Sequence, residues 1–239
     1  MQLRKIIILG NSVALRNRPH TKEKSLNYGQ IIENELNLKK QEQLVLVNNL
    51  AFGRATMRDL DKIQDQIINS FGDLYIINIG VSDAATREMP RWFADILNRR
   101  EQSFKVRLVK AISVAIFIPF RTTLVKLRGK RSWTSTKKFE KLFAELIHRI
   151  QHNTSGKIIV LPLNEADERI EKIVPGTSKK YIKFNGILSN ICDQTNVDFL
   201  DLGEIDSKVH YPDGTHFSEE GNKYVAEKIL NLIYEKEII

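Results

Sequence analysis

The sequence predicts an α/β fold built around a central, mainly parallel sheet of five strands. Short apolar runs of strand length recur along the chain, and segments with apolar residues at helical spacing lie between them. Strands that alternate with helices at short separations are typical of βαβ units and a parallel sheet. The runs are almost continuously apolar, as expected when helices cover both faces of the sheet. These three observations set the fold class.

The strands are predicted at 5–9, 43–48, 74–79, 156–163 and 197–202. The first run, Ile6 to Leu9, stops at Gly10 and is followed by Asn11 and Ser12. Amphipathic spacing predicts helices near 28–38, 57–70, 137–151, 178–195 and 218–235. Right-handed crossovers bring the carboxyl ends of parallel strands to one edge, where open α/β sheets bind their ligands. Ser12 is therefore expected at that edge.

Length and composition favour one domain spanning 1–239, since 42% of the residues are hydrophobic and no internal repeat or low-complexity linker occurs. Cys192 is the only cysteine, which excludes an intramolecular disulfide and a cysteine metal cluster. It lies on or beside the apolar face of a predicted helix, so we interpret it as a core residue. His148 and His152 could share a helix face, but no nearby ligand completes a zinc set. No metal site is predicted.

The basic charge belongs to one segment, predicted as a helical insertion at about 99–141. It holds 13 Lys or Arg and two acidic residues, whereas the whole chain has a net charge of +8. Such a patch suits an anionic membrane surface or a phosphorylated substrate, or it is simply a solvated helical face. Nucleic acid is disfavoured, because Trp133 is the only aromatic residue in the most basic part and no known binding motif is present.

A strongly apolar run lies inside this segment, at 111–120. It is about half of the ~20 residues that span a bilayer. We interpret it first as a buried helix, and second as a surface-seeking element flanked by Lys110 and Arg121. The first strand follows so closely on Met1 that a signal peptide has no room, which predicts a cytoplasmic protein. The basic segment would also fit a position at the inner face of the membrane.

A second chemical signal comes late in the chain, where Asp213 and His216 lie three residues apart before the last helix. A serine hydroxyl is a poor nucleophile until a neighbouring imidazole takes its proton. A carboxylate can orient that imidazole and stabilise its charged form. Ser12 as nucleophile, His216 as general base and Asp213 as orienting acid therefore form a complete set. Taken singly, each of these two motifs is also typical of an ordinary turn.

With these motifs in order, the chain resembles the SGNH (or GDSL) hydrolase family over essentially its whole length. The first block appears as Gly10-Asn11-Ser12-Val13, the second as Gly53 after the second strand, and the last as Asp213 to His216. The resemblance implies a flavodoxin-like three-layer α/β/α sandwich. It also implies serine esterase or O-acyltransferase chemistry without a metal or organic cofactor.

The third block departs from the family, which has Gly-x-Asn-Asp where this chain has Gly80-Val81-Ser82-Asp83. By resemblance the oxyanion hole comprises the backbone N–H groups of Ser12 and Gly53, with Ser82 at the asparagine position. Losing one oxyanion donor costs about 10²–10³ in rate. Three outcomes stay open: Ser82 donates directly or through water, another residue donates, or the protein is weakly active or inactive. The block also resembles a subgroup found with bacterial surface-polysaccharide genes.

The expected substrate is a small-molecule or glycan ester, such as an acylated sugar or polysaccharide precursor. Asn11, Arg54, Asp83 and Arg87 are candidate substrate contacts, and the arginines suit an anionic group. For Asn11 a structural role in the turn is favoured. The alternative function is an inactive SGNH-like protein that binds an anionic glycan, lipid head group or protein partner through its basic segment.

Overall fold

The computed structural model describes residues 2–15, 25–39, 43–97, 103–203 and 205–239. Its five strands are Gln2–Gly10 (β1), Gln43–Asn49 (β2), Leu74–Asn78 (β3), Lys157–Val160 (β4) and Asp198–Phe199 (β5). They form a sheet in the order β2-β1-β3-β4-β5, and every neighbouring pair is parallel. The predicted fold class is confirmed.

The two central strands, β1 and β3, are the most deeply buried. Ile6 to Leu9 of β1 are at most 1% exposed, and all five residues of β3 are buried. A continuous apolar run can be accommodated only where helices cover both sheet faces. Because β1 and β3 are paired, their carboxyl ends, Gly10 and Asn78, lie side by side.

The helices fall into two groups that cover the sheet. One group pairs Tyr28–Lys39 with Glu219–Glu235, and the other packs Thr136–Asn153 against Met57–Lys62, Gln64–Ile68 and Thr177–Thr195. The helices are α1 (Tyr28–Lys39), α2 (Met57–Lys62), α3 (Gln64–Ile68), α4 (Val81–Ala84), α5 (Arg91–Leu97), α6 (Phe104–Ile112), α7 (Arg121–Leu127), α8 (Thr136–Asn153), α9 (Glu168–Ile173), α10 (Thr177–Thr195), α11 (Ser207–His210) and α12 (Glu219–Glu235), with a 3₁₀ turn at Ser12–Ala14 and a π-helical turn at Ser113–Phe117.

Three predicted elements differ in detail. The helix expected over 57–70 is interrupted at Ile63, whose φ of −112° lies outside the helical range and separates α2 from α3. The fourth and fifth strands are shorter than the apolar runs at 156–163 and 197–202. Beyond them only single backbone bonds continue the pairing: Leu161 donates its N–H to the carbonyl of Ile77, and Leu200 donates to that of Val160. In these two strands the apolar run therefore overestimates the length of the strand.

The interpretation of 111–120 as a buried helix is wrong. Val114, Ile116, Ile118 and Phe120 are 64%, 47%, 64% and 57% exposed. The segment is held from one side, and among the described residues nothing covers its outer face. The predicted insertion begins at 99, but residues 99–102 lie outside the described ranges.

Candidate active site

Ser12 stands on a tight turn at the carboxyl end of β1. Gly10 is required there, because a Cβ at this position would lie 2.7 Å from the carbonyl oxygen of Asn78. Asn11 donates its backbone N–H to the same oxygen at 3.2 Å. Its side-chain Oδ1 accepts from the N–H of Val13 at 2.9 Å and caps the 3₁₀ turn. These contacts fix the position of Ser12.

The loop before α12 holds Asp213 and His216 in one rigid unit. Asp213 Oδ1 accepts from the backbone N–H groups of Thr215 at 2.9 Å and His216 at 2.7 Å. Its other oxygen, Oδ2, lies 2.6 Å from His216 Nδ1. The turn passes through Gly214 with φ +77°, a conformation that favours glycine. The carboxylate therefore fixes both the loop and the imidazole ring.

The structure brings Ser12 and His216 into direct contact across 204 positions of sequence. The Ser12 hydroxyl lies 2.9 Å from His216 Nε2. With Nδ1–H donating to Asp213, Nε2 is left to accept the serine proton. Burial raises the pKa of Asp213, but the hydrogen bonds from the His216 ring and from two backbone N–H groups outweigh it and lower the pKa to about 2. The orienting carboxylate is therefore ionised at neutral pH.

The three expected oxyanion-hole positions lie on loops that are tied to this site. Phe52 N–H donates to the carbonyl of Gly10 at 3.3 Å, which fastens the turn carrying Gly53 to the end of β1. Within the described residues, the N–H groups of Ser12 and Gly53 form no hydrogen bond, so both can donate to a ligand. Ser82 is 4% exposed, and its hydroxyl likewise has no partner in the part of the chain that the structure describes.

Asp83 joins two of these loops from inside the protein. Its carboxylate accepts from the N–H of Met57 at 3.1 Å and from the hydroxyl of Thr134 at 2.6 Å. Asp83 and Asn11 are both 0% exposed. The predicted contact of these two side chains with substrate does not fit their burial, because Asn11 caps its own turn and Asp83 binds Met57 and Thr134 on neighbouring segments. The structural role favoured for Asn11 fits its cap of the 3₁₀ turn.

The other two candidate contacts, Arg54 and Arg87, line a cavity of about 220 Å³ together with Arg121 and Trp133. The Arg87 guanidinium stacks on the Trp133 ring at 4.2 Å and donates to the backbone carbonyl of Ser82 at 3.3 Å. Burial lowers the pKa of Arg87 to about 10. Arg54 directly follows Gly53. Glu88 also lines the cavity, so three arginines stand against one carboxylate, and the cavity is basic overall. It lies next to two of the expected oxyanion-hole positions.

Two residues that hold the loop carrying Asp213 and His216 were not predicted. Arg169 donates to the backbone carbonyls of Pro212 at 2.6 Å, Tyr211 at 2.8 Å and Ser207 at 3.1 Å. Buried Asn164 donates to the carbonyl of Gly214 at 2.8 Å. Asn164 follows the fourth apolar run, so its place beyond a strand end was a usable signal. Nothing in the sequence around Arg169 marks it.

A larger cavity of about 630 Å³ lies beyond the ends of β4 and β5, where Asn164 lines it, and reaches the loop before α12 at Tyr211. Ser12, Asp213 and His216 are not among its lining residues. Cys192 takes no part in the site, since it is fully buried and burial raises its pKa to about 12. Its prediction as a core residue agrees with this position.

No known family model matches the sequence, and no curated protein matches it. Solved structures share the fold. An acetylxylan esterase from Geobacillus stearothermophilus is similar at 17% identity over 95% of this chain and 93% of that chain, with a TM-score of 0.63. A lipase/acylhydrolase from Enterococcus faecalis is similar at 15% identity over 98% and 96%, with a TM-score of 0.63. At these identities the similarity shows the fold.

Several of the similar structures are catalytic mutants of the same Geobacillus esterase, in which a serine, an aspartate or a histidine is replaced by alanine. In that esterase the histidine follows the aspartate by three positions. Asp213 and His216 have the same spacing.

Proposed function

We propose that this protein is a serine hydrolase of the SGNH type that cleaves an ester through an acyl-enzyme on Ser12. One observation carries the proposal: a continuous hydrogen-bonded path runs from the Ser12 hydroxyl through His216 to Asp213, with distances of 2.9 and 2.6 Å. The path lies at the carboxyl edge of a parallel sheet, where α/β folds bind ligands. The fold shared with known esterases supports the same chemistry.

The first half-reaction follows from this geometry. His216 Nε2 takes the hydroxyl proton as Ser12 Oγ bonds to the acyl carbon, and the carbonyl oxygen becomes an oxyanion. Asp213 stabilises the imidazolium that forms. When the tetrahedral intermediate collapses, the bond from the acyl carbon to the leaving oxygen breaks, and Nε2 delivers its proton to that oxygen. The alcohol leaves and the acyl group stays on Ser12.

The second half-reaction runs the same groups in reverse. Nε2 takes a proton from water or from an acceptor hydroxyl, whose oxygen bonds to the acyl carbon. The bond to Ser12 Oγ then breaks and the proton returns to the serine. Water gives a free acid, and a sugar hydroxyl gives a transferred acyl group. Hydrolysis and transfer use identical protein groups, so only the access of the acceptor distinguishes them.

We assign the oxyanion hole to the N–H groups of Ser12 and Gly53 and to the hydroxyl of Ser82. Both N–H groups are left without a partner by the described residues, and the loops that carry them are tied to the same strand end. The Ser82 side chain is shorter than an asparagine by an amide group, so its hydroxyl donates directly or through one water. This substitution is expected to lower the rate relative to an asparagine-bearing site.

The substrate we propose is an acylated sugar or polysaccharide precursor that carries an anionic group. The likeness to an acetylxylan esterase supports the acylated sugar. The cavity lined by Arg54 and Arg87 supports the anionic group, because guanidinium groups bind carboxylate and phosphate through paired donors.

One observation favours a second candidate function, that of an inactive protein that binds an anionic ligand. It is the replacement of the family asparagine by Ser82. A binding protein has no need of the hydrogen bond between Ser12 and His216, and this bond makes catalysis the first choice.

Hydrolysis of a short-chain 4-nitrophenyl ester separates the two candidates. We expect turnover by the wild type and loss of turnover in Ser12→Ala and in His216→Ala, with circular dichroism unchanged. His210→Ala is the matched control, since this histidine lies near the same loop and its ring contacts the backbone carbonyl of Asp206. Retained turnover in Ser12→Ala would contradict the proposal, and no turnover by folded wild type on any short-chain ester would favour the binding protein.

A further inference from the structure

The segment from α5 to α7 exposes an unusual amount of apolar surface. Large apolar side chains that are 47% to 79% exposed follow one another along it: Trp92, Phe104, Leu108, Val114, Ile116, Ile118, Phe120 and Leu127. Large apolar residues exposed singly need no explanation, whereas a contiguous set marks an interaction site. We refer to the part within α6, the π-helical turn and α7 as the 104–127 surface.

The opposite side of this segment is anchored on the protein, which fixes the orientation of the exposed side. Val106 and Val125 are buried, and the Phe117 ring packs on that of Phe93 with centroids 4.8 Å apart. Arg121 pairs with Glu88 at 3.1 Å, and the Thr122 hydroxyl donates to the carbonyl of Ile173 at 3.1 Å. These contacts fix the inner side of the segment against the protein. The apolar residues on its other side therefore point outward in a well-packed segment.

Charge identifies the occupant of this surface. Between 103 and 131 the sequence has eight Lys or Arg and no Asp or Glu. Arg107, Lys126 and Lys130 are exposed among or beside the apolar side chains. Exposed apolar residues mixed with cations are the composition of elements that lie in the interface of an anionic bilayer.

We propose that the 104–127 surface docks on the surface of an anionic lipid bilayer. The apolar side chains enter the boundary between headgroups and acyl chains, and the cations contact the phosphate groups. The same segment lines the arginine cavity through Ser113, Ile118 and Arg121, so docking would place that cavity at the membrane surface. The docking itself does not depend on Ser12 or on ester cleavage.

Two other arrangements fit less well. Within the described ranges no single helix is long and apolar enough to cross a membrane. Val106–Phe117 and Arg121–Leu127 satisfy length and composition only jointly, across a 90° bend. Crossing would also detach Val106 and Val125 from the protein body. A second copy of this chain would bring two such cationic surfaces together, and their like charges repel.

Vesicle flotation tests the proposal. We compare phosphatidylcholine vesicles with vesicles that also contain phosphatidylglycerol, using wild type and the combined variant Val114→Ser, Ile116→Ser and Phe120→Ser. Wild type should float with the anionic vesicles, and the variant should lose about tenfold or more in binding, since the inserted apolar area is removed. Hydrolysis of a soluble ester should be unchanged in the variant.

The matched control is Leu38→Ser, Phe71→Ser and Ile182→Ser, which removes three side chains of 74%, 64% and 70% exposure from elsewhere on the protein. This control should bind vesicles as wild type does. If the 104–127 variant binds the anionic vesicles as well as wild type does, insertion of the apolar side chains is overturned. If salt alone abolishes the binding of wild type, the attraction is electrostatic only, and insertion is overturned as well. A wild-type dimer that becomes monomeric in the variant, with no vesicle binding by either, would assign the surface to a second copy and overturn the proposal.

Discussion

Asp83→Asn tests how the loops beside the serine are held together. The Asp83 carboxylate is fully buried and accepts hydrogen bonds from Met57 N–H and from the Thr134 hydroxyl. Burial raises its pKa to about 7, although those hydrogen bonds lower it. Asparagine has the same shape, can still accept through Oδ1 and does not ionise. The variant therefore removes the titration and keeps most of the contacts.

The magnitude follows from the pKa of Asp83, raised from 3.8 to about 7. Each unit is worth about 1.4 kcal/mol, so the shift corresponds to about 4 kcal/mol. Between pH 4 and 7 the unfolded carboxyl is ionised while the folded one keeps its proton. The folded state then binds more protons, and stability falls as pH rises through this window. Across this pH window the free energy of unfolding of wild type should fall by up to about 4 kcal/mol, and that of Asp83→Asn should not fall in this way.

Urea unfolding at several pH values across this window, followed by tryptophan fluorescence, measures the difference. The quantity to compare is the unfolding free energy of wild type minus that of the variant at each pH. Asp65→Asn, which removes a carboxyl that is 86% exposed, is the matched control. Parallel pH profiles for wild type and Asp83→Asn would refute the buried, protonated state of Asp83.

Three further predictions concern catalysis. Arg169→Lys keeps a charge but cannot donate to all three loop carbonyls, so kcat should fall about 10–100-fold with KM nearly unchanged. The rate at which a fluorophosphonate labels Ser12 should fall equally. The same losses in a variant of α9 that only destabilises the fold would point to a structural role for Arg169. Ser82→Ala should lower kcat about 10²–10³-fold if the hydroxyl is the third oxyanion donor, and an unchanged kcat would remove Ser82 from the hole. Arg54→Gln should raise KM for an ester bearing a carboxylate or phosphate and leave KM for a neutral ester unchanged. Equal changes in KM for both esters would show that the cavity does not bind the anionic group.

The sequence contained enough to predict the sheet and to single out Ser12, Asp213 and His216, which the structure brings together. Central strands read as continuous apolar runs because they are buried on both faces, and the strand ends locate Ser12 at the ligand edge. Asp213 and His216 were predictable because they share one short loop before a helix. The hydrogen bond that joins them to Ser12 spans 204 positions and depends on the packing of α12, which no local pattern reports.

Other features could not be read from local patterns. Arg169 acts through backbone carbonyls, which any sequence supplies, so its role depends only on how α9 lies against the loop carrying Asp213 and His216. Asp83 looks like a site residue because it follows a strand end, yet the fold encloses it. The run at 111–120 has the composition of a buried helix, and its exposure depends on the absence of a covering layer in the described part of the chain.

Covalent labelling of the wild-type protein with a fluorophosphonate, followed by peptide mass spectrometry, tests the nucleophile most directly. Ser12 should carry the adduct, labelling should be absent in Ser12→Ala, and it should be strongly slowed in His216→Ala, which lacks the base that takes the serine proton. A folded wild-type protein with no adduct on Ser12, or with the adduct on another residue and ester turnover intact, would contradict the assignment.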